Sequence, residues 1–132
     1  MIVIVLLLSF LLRVIYISYP SEVWWDAATY MGMGKYIYSL GHAGFFEIER
    51  PLIWPLVLGF FWKLNISMVW AGRVIELLLS TASVFLVYLI GSRVFNKKTG
   101  IIAAVFFSFS PLYFQHTNVE ITEIPSTLVC WK

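Results

Sequence analysis

Three places in the chain carry groups able to act on a substrate: Asp26, the pair Glu49-Arg50, and Glu123. Asp26 follows an aromatic pair, Trp24-Trp25, and precedes a helix-like segment, Ala27–Leu40, closed by Gly41. An Asp there either caps the helix by accepting from its first amides, or stands as a carboxylate that takes a proton from an acceptor hydroxyl or amine. Arg50 stands before Pro51, a residue suited to the first position of a helix. The amides of Leu52, Ile53 and Trp54, the helix dipole and the guanidinium would then converge on one spot. That is an anion site, with phosphate as its natural guest; the alternative is that Arg50 pairs with a lipid headgroup or with Glu49. Glu123, in Thr122-Glu123-Ile124-Pro125, is either a first-turn acid of a helix opening at Pro125, capped by Thr122, or a second carboxylate facing Asp26 across a cavity. His42 and His116 have no partners at metal-ligand spacing. Asn65-Ile66-Ser67 is a formal glycosylation sequon, close to the membrane on the outer side.

The elements that must hold these groups follow from composition. Of 132 residues, 61% are hydrophobic and 12% charged, with eleven Phe, seven Tyr and six Trp. Mean hydropathy is +0.87. A soluble domain carries about a quarter charged residues, and a chain this short cannot bury so much apolar surface. An integral membrane protein is expected. Disorder, a disulfide scaffold (Cys130 is the only cysteine) and a nucleic-acid-binding domain are excluded; the net charge is only +2.

The fold expected is all-α: a polytopic transmembrane bundle with amphipathic interfacial helices in its first outer loop. Spans are expected over about 1–19, 72–95 and 100–114, with a fourth starting at 125 and an outer loop over 20–71. The first is a retained span rather than a signal peptide. No basic region precedes it, and Tyr16-Ile17-Ser18-Tyr19-Pro20 is too bulky for a cleavage site. Arg13 is expected to snorkel to the headgroups. In the loop, Ala27–Leu40 reads as a short amphipathic helix on the membrane surface. Pro51–Leu64 reads as a second helix, too short to span. The chain ends at Lys132 inside an apolar segment, which reads as the front part of a larger protein.

Arg93, Lys97 and Lys98 crowd one short loop, so that loop is expected to be cytoplasmic. The segments carrying Glu22, Asp26, Glu47, Glu49, Glu120 and Glu123, six of the seven acidic residues, then lie outside.

The order of these features resembles the GT-C membrane glycosyltransferases, in particular the protein O-mannosyltransferase family (glycosyltransferase family 39) and the lipid A aminoarabinose transferases. Trp25-Asp26-Ala27-Ala28-Thr29-Tyr30 is similar to the family's Asp-Glu-x-x-Tyr. Glu49-Arg50-Pro51-Leu52-Ile53-Trp54-Pro55 is similar to Glu-Lys-Pro-Pro-Leu. Ala71-Gly72-Arg73 and Gly91–Ala104 match a span ending in a basic turn before an Ala-rich span. Thr122-Glu123-Ile124-Pro125 is similar to Thr-Asp/Glu-x-Pro.

The resemblance implies an inverting transfer of a sugar from a polyprenyl-phosphate donor to a protein, lipid or glycan acceptor at the outer face of the cell membrane. By that match Asp26 is the catalytic base and Glu123 the second acid, which positions the acceptor or a metal. Arg50 neutralises the donor phosphate, Tyr30 lines the phosphate site, and Glu49 matches an acid tied to a divalent metal ion in some relatives. Ala27 departs from the family's Glu, and Thr29 from a basic residue found in some members. The alternatives from the residues themselves are a non-enzymatic module that binds lipid headgroups, a transporter fragment, or an inactive remnant.

Overall fold

The computed structural model describes residues 1–19 and 22–111, and within them every regular element is an α-helix: α1 (Ile2–Ile17), α2 (Trp25–Tyr38), α3 (Ile53–Lys63), α4 (Met68–Val94) and α5 (Lys97–Ser108). The expected fourth span, Glu120, Glu123, His116 and Cys130 lie outside the described residues.

Among the described residues, only α4 is long and apolar enough to cross a membrane by itself. At 27 residues it is about 40 Å long, against about 30 Å of hydrocarbon. It begins four residues before the expected span over 72–95. The helix of the expected first span, α1, has 16 residues, about 24 Å. The described part of the expected third span is α5, of 12 residues. It starts at Lys97, not at Gly100, because the side chain of Asn96 accepts a 2.8 Å hydrogen bond from the Thr99 amide and caps the helix. The basic turn is thereby shortened to Phe95-Asn96.

The two helices around that turn touch backbone to backbone. A Cβ on Gly91 would stand 2.8 Å from Gly100 Cα, and one on Gly100 would stand 2.7 Å from Tyr88 O and Ser92 N. Small residues at such a crossing let apolar helices gain close van der Waals contact.

Against this hairpin α1 lays a single stripe, Ser9, Arg13 and Ile17. Its other face, Val3, Ile4, Leu7, Leu8, Leu11, Leu12 and Ile15, is exposed. The interior of the trio is polar for so apolar a chain: Ser9, Arg13, Glu76, Ser80, Ser83 and Ser108 are all buried. The serines of α4 turn their hydroxyls onto their own helix, Ser80 to Leu77 O and Ser83 to Leu79 O, both at 2.9 Å.

Arg13 corrects the sequence expectation. It is fully buried and does not reach for headgroups. Its guanidinium donates to the Ser9 hydroxyl, to Ser9 O at 3.3 Å and to Ser108 O at 3.1 Å. Ser108 is the last residue of α5, so its carbonyl has no partner in the helix. A protein acceptor at that depth removes the reason to snorkel.

In the second half α2 packs on α3 around Ala27, Tyr30, Met31, Trp54, Leu58 and Met68. Met68 belongs to α4 and ties this pair to the long helix. The close approach is again made by glycines. A Cβ on Gly34 would meet Pro55 O at 2.7 Å and Gly59 Cα at 3.0 Å. Gly32, two residues earlier and therefore on roughly the opposite side of the helix, receives the loop. There Phe45 N donates to Gly32 O at 3.4 Å, and the Phe45 ring lies over Gly32. Residues 29–34 are consequently buried on every side. Elsewhere on α2, Trp25, Ala28 and Tyr36 stay exposed on one side of the helix.

Both helices end in a left-handed residue. Leu40 (φ 55) and Asn65 (φ 58) follow α2 and α3, with Gly41 N donating to Tyr36 O at 2.9 Å and Ile66 N to Phe61 O at 3.0 Å. These bonds close the last open carbonyls of each helix. Two helix starts also differ from expectation. Trp24, not Asp26, precedes α2, leaving Asp26 inside the first turn. Pro51 precedes α3 and Pro55 takes its third position, where the missing N–H has no intrahelical acceptor to lose.

Candidate functional site

Asp26 and Tyr30 are four residues apart on α2, one turn above the other on one face. Arg50 reaches that face from the turn that leads into α3. Its Nη2 lies 2.7 Å from Asp26 Oδ1, and its Nε lies 3.4 Å from Glu47 Oε2. Its Cζ lies 5.6 Å from the centre of the Tyr30 ring. Tyr30 is buried under this group, while Asp26 and Arg50 are partly open to solvent. Hydrogen bonding to Tyr30 and then to Asp26 pushes the guanidinium further above its already high ordinary pKa, so this cation is permanent.

The arrangement joins two residues that the sequence placed 24 positions apart. Dipole and charge favour it locally as well. An acid in the first turn of α2 is stabilised by the partial positive charge there. An anion site is expected at the start of α3; the guanidinium partners seen here are Asp26 on α2 and Glu47 in the preceding loop.

Glu49 is exposed, and the described acid on Arg50 besides Asp26 is Glu47. Spacing held the signal: Glu47 and Arg50 are three residues apart across a turn, which brings side chains together, whereas adjacent residues diverge. Thr29, where some relatives have a basic residue, is buried and returns its hydroxyl to Trp25 O at 3.1 Å. Among the described residues no three His, Cys, Asp or Glu side chains gather into a possible metal site. Trp24 and Trp25, beside Asp26, are both well exposed, as an aromatic pair at a membrane boundary would be.

No curated protein and no solved structure matches the chain. A family model matches residues 49–131, well over half of it. Arg50 and Pro51 lie inside that stretch; Asp26 and Tyr30 lie upstream of it. The chain belongs to the dolichyl-phosphate-mannose-protein mannosyltransferase family, glycosyltransferases of GT-C type.

Proposed function

We propose that this protein transfers a sugar from a polyprenyl-phosphate donor to an acceptor at the outer face of the membrane, with inversion at the anomeric carbon. Asp26 takes the proton from the acceptor hydroxyl or amine as the new bond to the anomeric carbon forms. The bond from that carbon to the phosphate oxygen breaks, and the charge left on the phosphate is met by Arg50. Tyr30 holds the guanidinium in place from below. Glu123 serves as the second acid that orients the acceptor, and Glu49 is the side chain available to a divalent ion. The observation that carries the reading is the 2.7 Å approach of Asp26 and Arg50. An inverting displacement needs its base and its phosphate-binding cation close to one anomeric carbon, and the contact makes these two groups neighbours, so that a donor separating them would have one on each side.

The architecture proposed with it is a multi-pass bundle over residues 1–132, with 20–71 forming the floor of the outer cavity. The basic residues Arg93, Lys97 and Lys98 at the α4–α5 turn favour a cytoplasmic location for that turn. A cell membrane with the active loop outside suits the short loops.

Membranes from cells expressing the gene, supplied with labelled polyprenyl-phosphate mannose and other lipid-linked sugars, test the reading. Wild type should release sugar from one donor, and Asp26→Asn should lose about 10²-fold or more of that rate while still retaining the lipid. Equal inertness of both proteins with retained lipid binding would favour a headgroup-binding module instead.

A further inference from the structure

Arg50 is shared by two carboxylates that are anchored differently. Asp26 stands on α2, fixed by the α2–α3 core. Glu47 belongs to the same turn as Arg50, three residues away. A phosphate entering the site adds a third anion to one cation, and three anions cannot all keep contact with a single guanidinium without strong mutual repulsion. The partner that moves with Arg50 is kept; the partner fixed to another helix is left behind. We propose that Glu47 is a positioning residue that holds the Nε side of Arg50 while the guanidinium moves from Asp26 to the donor phosphate, and that this exchange unmasks Asp26.

The inference rests on the reading of Asp26 as base and Arg50 as phosphate ligand. It adds an order of events. Until a lipid phosphate is bound, the base is occupied by Arg50 at 2.7 Å, so the acceptor cannot be activated and the donor must bind first. Asp26 has room to act once released, since 44% of its side chain is exposed. Tyr30, 3% exposed, is the fixed floor over which the guanidinium slides. Glu49, exposed and adjacent to Arg50 in sequence, has no such hold.

The test compares wild type, Glu47→Gln, Glu47→Asp and Asp26→Asn in membranes, with polyprenyl-phosphate mannose as donor and polyprenyl phosphate as a non-reacting probe. Removing the Glu47 charge tightens Arg50 on Asp26 and misplaces it relative to the phosphate. Since a misplacement of about 1 Å costs about 10²-fold in rate, Glu47→Gln should lower kcat by about one to two orders of magnitude. Binding of donor and of polyprenyl phosphate should weaken with it, because the phosphate must then displace a more tightly held Asp26. Glu47→Asp should recover most of kcat. An unchanged kcat in Glu47→Gln, or a raised KM with kcat intact, overturns the proposal. So does a loss of kcat that is accompanied by a lower melting temperature and not recovered by Glu47→Asp. If Asp26→Asn keeps full activity, the underlying reading of the site has failed, whatever Glu47→Gln does.

Discussion

Replacing Gly34 with Ala should pull the candidate site apart from a distance. The methyl carbon would stand 2.7 Å from Pro55 O, 2.9 Å from Gly59 N and 3.0 Å from Gly59 Cα. Comfortable contact between such atoms is about 3.5–4.0 Å. The obstacles are backbone, so no side chain can swing away, and α2 must part from α3 by something on the order of 0.5–1 Å. Overpacking of this kind costs about 1–3 kcal/mol. The same displacement acts on function, because α2 carries Asp26 and Arg50 stands just before α3. A 2.7 Å ion pair opened by that amount stretches to about 3.2–3.7 Å, at or past the end of the usual hydrogen-bond range. Misplacement on this scale lowers turnover by about 10²-fold. Thermal unfolding in detergent micelles measures the first effect, and sugar transfer in native membranes measures the second. A Gly34→Ala protein with wild-type melting temperature and wild-type rate would refute the close crossing and its link to the site.

Three further outcomes follow from particular contacts. Arg13→Leu leaves the Ser9 hydroxyl and Ser108 O without the donor they have now, at a cost of about 1–3 kcal/mol for each buried acceptor. Its unfolding midpoint in a denaturing detergent titration should drop clearly, and an unchanged midpoint would return Arg13 to the headgroups. Asn96→Ala removes the cap on the Thr99 amide and should cost about 1 kcal/mol of stability, measured by thermal melting. Arg50 is held charged above its ordinary range, and a base with a raised pKa stays protonated at every pH below its ordinary value. Binding of polyprenyl phosphate should therefore show no loss of this cation between pH 7 and 10. An Arg50→Lys variant should lose binding as pH passes through the lysine range, about 10.4; an early loss in wild type would argue against Arg50 as the phosphate ligand.

The parts of this protein that were legible in the sequence are those set by long apolar runs and by chemistry-bearing residue types. The core of α4 announces itself through sixteen uncharged residues from Leu77 to Ser92, and Asp26 and Arg50 stand out as charges beside aromatic and proline punctuation. Arg13 departs from the sequence expectation because its acceptor, Ser108 O, lies 95 residues away, and snorkelling is the default only where no such acceptor exists. The burial of α2 was hidden for a related reason. Gly32 and Gly34 count against a helix by propensity, yet they are what allow the Phe45 loop and α3 to close over opposite sides of it. Glu47, not Glu49, meets Arg50 because side chains three residues apart across a turn converge, whereas those of adjacent residues diverge. The start of α3 moved by two residues because Pro55 satisfies the first turn as well as Pro51 does.

If Asp26, Arg50 and Tyr30 form one site for a lipid-linked phosphate, a structure of the protein with polyprenyl phosphate bound will show it. The phosphate should lie on the Arg50 guanidinium above Tyr30, with Asp26 released from its 2.7 Å contact and Glu47 still on Nε. A phosphate bound elsewhere, with the Asp26–Arg50 pair intact, would contradict it.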